Sequence, residues 1–169
     1  MDALYSANLL KFNQLINPQD KAIYYYGRES ELYTMKFLGN IYNKPIFLTV
    51  KEIIDSLDSN LKRNFHVDLS QVGIVYIDSD SAQATQYLKE QFEGLSYILN
   101  TSLKEGRAHF YFKKSEFSRP FYNKTYWFSL YDYYKLGGFD PYGPIMPRPE
   151  NGRHFVTLPD HLDLMPQIQ

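Results

Sequence analysis

VGIVYIDSDSAQATQYLKEQF, residues 72–92, holds the transition on which the fold turns. The run VGIVYI is continuously apolar but for the tyrosine hydroxyl, the pattern of a strand buried on both faces. The periodicity then changes. Ala84, Leu88 and Phe92 recur every four residues, which puts them on one side of a helix, and Asp80 or Ser81 can supply its N-cap. Between strand and helix stand Asp78 and Asp80. Strand side chains alternate, so the two carboxylates point the same way. They repel unless a cation or hydrogen-bond donors lie between them. A hard divalent ion, Mg2+ or Mn2+, answers that need with oxygen ligands. The carboxyl end of a strand is also where ligands collect, and the helix start that follows favours phosphate. In the alternative reading, Asp80 caps the helix and Asp78 makes a turn bond.

Upstream, residues 3–16 (ALYSANLLKFNQLI) have helical spacing, with Leu4, Leu9, Phe12 and Ile16 on one stripe. NPQD breaks it. Three strand-like runs follow, AIYYYG, ELYTMKFLG and PIFLTV, and then Thr49 with Glu52 forms a capping-box pattern before the helix KEIIDSLDSNL. Downstream, SYILNTS and AHFYFKK read as strands joined by the loop KEGR. In the second strand His109, Tyr111 and Lys113 take one face while Ala108, Phe110 and Phe112 take the other. His109 preceded by Lys104 and Arg107 makes an anion cradle, though a strand histidine is also an ordinary structural residue. Asp140 stands in the Gly-rich turn KLGGFDPYG, where aspartate commonly serves turn chemistry.

Strands and helices in this order predict an α+β fold: a mixed or antiparallel sheet with helices, spanning 1–169 as one domain with lobes 1–66 and 67–169. At 169 residues the chain can bury a sizeable core, and its 44% apolar content is that of a globular protein. The net charge of −1 supplies no global attraction to nucleic acid or anionic lipid. With no cysteine, a disulfide framework and thiolate zinc sites are excluded. No apolar run reaches the roughly 18–20 residues that span a bilayer. The acidic start MDALYSANLL lacks the basic opening of a secretory signal. A soluble, cytoplasmic protein without membrane contact is therefore expected. The 16 tyrosines and 12 phenylalanines against one tryptophan suit half-buried strand positions. They also suit a stacking surface for bases, above all around residues 122–134, where Lys124 and Lys135 flank the cluster.

Taken in order, IDSD at 77–80, the stretch from Ser102 to His109, and FD at 139–140 resemble the catalytic core of the archaeo-eukaryotic primase superfamily, in its plasmid and phage primase-polymerase branch. That branch carries an apolar-D-x-D motif, a small-residue-x-His motif on a strand, and a further apolar-Asp. The likeness covers roughly residues 70–160. It implies an RRM-like catalytic core behind a small N-terminal α/β lobe. Asp78, Asp80 and Asp140 would hold Mg2+ or Mn2+, with Asp132 in SLYDYY a second candidate for the third acid. His109, with Ser102, Lys104 or Arg107, would hold the phosphates of a nucleoside triphosphate. The implied activity is a DNA-directed nucleotidyltransferase that initiates or extends a strand, by attack of a 3′-hydroxyl on the α-phosphate. Its partners would be single-stranded or primer-template nucleic acid and a helicase or other replication protein. The stretch PRPENGRHFVTLPDHL, with Arg148, Arg153 and His154, would correspond to the Pro- and Ser-containing segment that often frames the nucleotide in such enzymes, or is a surface loop before an ordinary strand.

Two other readings fit the same residues. A Mn2+-dependent glycosyltransferase also ends an apolar strand on D-x-D, but requires a parallel sheet leading into Asp78. A non-catalytic binding module requires no metal and predicts that the acidic pair is bonded to the protein itself.

Overall fold

The computed structural model describes residues 3–25, 45–58, 64–69, 72–101, 104–118, 125–127, 129, 132–137 and 144–169. Helix α1 (Ala3–Ile16) buries Tyr5, Leu9, Phe12 and Ile16. Leu4 is exposed rather than part of the stripe; Tyr5, four residues before Leu9, takes its place, since i to i+4 spacing keeps a side chain on one face. Strands β1 (Ile23–Tyr25), β2 (Ile46–Leu48) and β3 (His66–Val67) form an antiparallel sheet in the order β2-β1-β3. The expected strand ELYTMKFLG lies outside the described residues. Helix α2 (Val50–Asp58) opens on the capping box expected from the sequence: Glu52 N–H donates to Thr49 Oγ1 at 3.2 Å and Thr49 N–H to Glu52 Oε1 at 3.1 Å.

The remainder builds a six-stranded sheet. Strand β4 (Ile74–Ser79) runs into helix α3 (Ala82–Gln91), followed by β5 (Ile98–Thr101), β6 (Ala108–Lys113), β7 (Thr125–Trp127), β8 (Tyr133–Gly137) and β9 (Phe155–Thr157). The order is β7-β8-β4-β6-β5-β9, and every neighbouring pair is antiparallel. The α+β expectation thus holds, with the sheet antiparallel. Because β6 sits between β4 and β5, α3 forms the crossover of a split β-α-β unit.

Both faces of this sheet are covered. On one, Val75, Ile77, Leu99, Phe110 and Phe112 pack on Leu88 of α3 and on Phe92, its C-cap. Phe92 meets the Phe112 ring edge-on at 4.8 Å between centroids. On the other, Tyr76, Ile98 and Tyr111 join a core with α1 and the small sheet, and Phe12 meets Tyr111 edge-on at 5.7 Å. Each such aromatic contributes about 2–3 kcal/mol by leaving water. Tyr76, Tyr111 and Tyr134 are buried, deeper than half-buried strand tyrosines would be. Their rings fill the space between layers.

A late segment closes the sheet. Lys113 N–H donates to Asp163 O at 3.0 Å and Met165 N–H returns to Lys113 O at 2.9 Å. Asp163 also accepts from Ser96 N–H at 2.7 Å, and Leu162 and Met165 are buried. Among the described residues no helix is long and apolar enough to cross a membrane.

Candidate functional site at the end of the central strand

Strand β4 lies between β8 and β6, and its register fixes the site. Asp78 stands opposite His109 on one side and Lys135 on the other. His109 Nε2 is 3.3 Å from Asp78 Oδ1, an ion pair when the imidazole is protonated. Two residues on, Asp80 shares that face. Its Oδ1 is 3.1 Å from Arg107 Nη1, just before β6 begins, and its N–H donates to Tyr133 O at 3.1 Å. The Tyr133 hydroxyl bonds the Asp80 carboxylate. That bond, with partial burial and the charges of Asp80 and Asp78, pushes the phenol up to about 12. Each carboxylate therefore has its own donors, His109 for Asp78 and Arg107 with Tyr133 for Asp80.

The helix cap is assigned by the same geometry. Ser81 is the N-cap, with Ala84 N–H donating to its hydroxyl at 3.0 Å. Asp80, excluded from that role, is left to face Arg107. Ser79, between the two aspartates, points to the opposite face, where its hydroxyl pairs with Thr85 at 2.7 Å. The Thr85 hydroxyl also bonds the Gly106 carbonyl. Gly106 has φ +82° and presses on α3: a Cβ there would lie 2.6 Å from Ala82 Cβ and 2.8 Å from its backbone nitrogen. The turn before β6 is thereby docked onto the start of α3, which is what sets Arg107 against Asp80.

Of the residues expected from sequence, Asp78, Asp80, His109 and Arg107 come together. Lys104 is exposed in the same turn, its carbonyl accepting from Arg107 N–H at 3.2 Å. Ser102 and Asp140 lie outside the described residues. Asp132, the alternative third acid, bonds Ser129 in a local turn, with its own N–H donating to Ser129 Oγ at 3.1 Å. Among the described residues no group of three His, Cys, Asp or Glu side chains converges closely enough to hold a metal. The polar face expected along β6 is interrupted, because Tyr111 between His109 and Lys113 is buried beneath Phe12. Lys113 pairs with Ile74 at the far end of β4, about 13 Å along the strand from Asp78.

Several neighbours escaped the sequence reading. Tyr133 is one, hidden in a tyrosine-rich run where nothing in the pattern says which ring meets Asp80. Trp127 is another: 61% exposed on edge strand β7, it sits 4.6 Å from the Tyr133 ring. Trp127, Tyr133, Asp80 and Arg107 thus form a row across four strands. Asn100 pairs in register with His109 and is 1% exposed. Its signal was legible, a lone amide inside the apolar strand ILNT.

No family model, curated protein or solved structure matches the chain.

Proposed function

We propose that the chain is a divalent-metal-dependent nucleotidyltransferase of the primase-polymerase type, acting on nucleoside triphosphates at a nucleic-acid strand. The observation that carries this reading is the convergence of Asp78, Asp80, His109 and Arg107 at one end of an antiparallel sheet. The partial order β8-β4-β6-β5, with α3 crossing from β4 to β5, is also the order of an RRM-like sheet, as the sequence resemblance implies for the catalytic core. A glycosyltransferase would need parallel strands leading into Asp78, and β4 is antiparallel to both neighbours.

The donor set suits a hard cation, since both acids offer oxygens on one face and the Asp78 side chain is 42% exposed. Asp78 and Asp80 would hold Mg2+ or Mn2+, which would supply charge stabilisation at the transferred phosphorus. Arg107 and His109, each now beside a carboxylate, would turn to the phosphate oxygens. Trp127 and Tyr133 give the open side of the site an aromatic edge on which a base can stack.

One observation favours a second reading. Asp78 and Asp80 are bonded to the protein's own His109, Arg107 and Tyr133, as a non-catalytic binding module predicts. Calorimetry of a nucleoside triphosphate with and without Mn2+, on wild type and Asp78→Ala/Asp80→Ala, separates the two. The proposal expects metal-dependent binding that the double variant loses, together with primer extension by the wild type. Metal-independent binding, or none, would leave the binding module. Trp127, the sole tryptophan, gives an independent fluorescence signal for occupancy.

A further inference from the structure

Two arginines are buried in the segment that precedes β9, and their surroundings differ. Arg148, 4% exposed, donates from Nε to Glu150 Oε2 at 3.0 Å and lies 6.0 Å from the Phe65 ring centre. Arg153, 8% exposed, has no carboxylate at ion-pair distance among the described residues. Its Nη1 reaches only the Asn151 carbonyl, at 3.5 Å. Burial pulls its pKa down, opposed only by Tyr111. An unpaired buried charge is costly to the fold, so an anion that matched it would stabilise the protein.

A cavity of about 180 Å³ opens beside Arg153, lined also by Tyr5 and Asn8 of α1 and by His154 and Phe155.

We infer that this cavity is a phosphate-binding site, in which Arg153 engages the anion with help from Asn8 and His154 of the lining. A carboxylate offers two acceptor oxygens in one plane, fewer than the Arg153 fork, the Asn8 amide and the His154 imidazole can donate to. A phosphate offers three or four in different directions, and Arg is the side chain whose fork matches it. The phosphate is that of a nucleotide or of a nucleic-acid strand. The site is separate from Asp78 and Asp80 and does not require that they hold a metal.

The test uses the full chain in chelator-containing buffer, so that no metal contributes. Thermal unfolding and calorimetry are run with inorganic phosphate, a nucleoside triphosphate and a single-stranded oligonucleotide, on wild type, Arg153→Met, Arg153→Lys and Asp78→Asn. Phosphate should raise the melting midpoint of wild type and Asp78→Asn but not of Arg153→Met. Without phosphate Arg153→Met should melt at or above wild type, because the unpaired charge is gone; a residue that merely braced the loop would lower it. A tenfold or greater loss of triphosphate affinity in Arg153→Met identifies the nucleotide as the source, and a comparable loss confined to the oligonucleotide identifies the strand. Should Arg153→Met not fold, Arg153→Lys, which keeps the charge and loses the fork, must weaken phosphate binding several-fold. Equal phosphate stabilisation of wild type and variant, or no binding of any of the three by wild type, overturns the inference. Phosphate binding at Arg153 without metal-dependent triphosphate binding at Asp78 would instead remove the nucleotidyltransferase reading and leave this site standing.

Discussion

Replacing Gly106 by alanine tests whether the turn before β6 is docked as rigidly as its geometry requires. Gly106 sits at φ +82°, and an added Cβ would meet Ala82 at 2.6 Å, with the Ala82 backbone at 2.8 Å. The left-handed conformation costs an alanine about 1–2 kcal/mol. The overlap falls on helix backbone, which cannot swing aside as a long side chain would, and overpacking of this kind costs about 1–3 kcal/mol. Against this, alanine restricts the unfolded chain and returns about 0.4–1 kcal/mol. The net loss is about 1–4.5 kcal/mol, a large part of the roughly 5–15 kcal/mol that holds a domain together. In urea, with a slope of about 2 kcal/mol per molar, the unfolding midpoint should fall by about 0.5–2 M. The loss should also carry to the site, because the Gly106 carbonyl and the Thr85 hydroxyl pin the loop that bears Arg107. Gly106→Ala should thus weaken any triphosphate binding at His109 and Arg107 beyond what its stability loss explains. A midpoint within 0.2 M of wild type, about 0.4 kcal/mol on that slope, would refute the docking argument.

Two further outcomes follow from the same region. Thr85→Val removes a buried hydroxyl that serves both Ser79 and Gly106, stranding those partners. It should cost about 1–3 kcal/mol in the same urea assay, and a neutral result would mean that water replaces the hydroxyl. The second outcome concerns alkali. The Tyr133 phenol is raised to about 12 by its bond to Asp80, above its unfolded value of about 10. The folded state therefore holds a proton that the unfolded state has lost, and this contribution to stability is complete below pH 10 and disappears as pH rises toward 12. Tyr133→Phe should flatten that part of the pH–stability curve, read by denaturant midpoints at successive pH values; an unchanged slope would show that Tyr133 contributes none of it.

Much of the architecture was legible because it follows from local pattern. The apolar run before Asp78, the four-residue spacing of Ala84, Leu88 and Phe92, and the alternation of His109 with Phe110 each fix an element without knowledge of the rest. The pairing of Asp78 with His109 was legible only as an order of motifs, and register turned that order into a contact. What stayed hidden depends on tertiary neighbours. Leu4 and Tyr5 have similar claims to the α1 stripe until the sheet beneath selects one. Ser81 and Asp80 are both good caps, and the choice between them rests on Arg107 lying across from Asp80. Arg148 and Arg153 look alike in PRPENGRHF, and only packing gives one a carboxylate and leaves the other with none among the described residues.

The contact between Phe12 and Tyr111 has a consequence for how the protein is made. Helix α1 leaves the ribosome early, but the tyrosine that covers it is added about a hundred residues later, roughly 5–20 s at ordinary rates of translation. The strands of the large sheet are in turn secured by residues 162–165, which are later still. Throughout that interval Leu9, Phe12 and Ile16 can lie only against the small sheet and Ile53 of α2, and β6 waits with an unfinished end. Synthesis thus runs ahead of the fold, and its last step should come only when the strap at 162–165 is free of the exit tunnel.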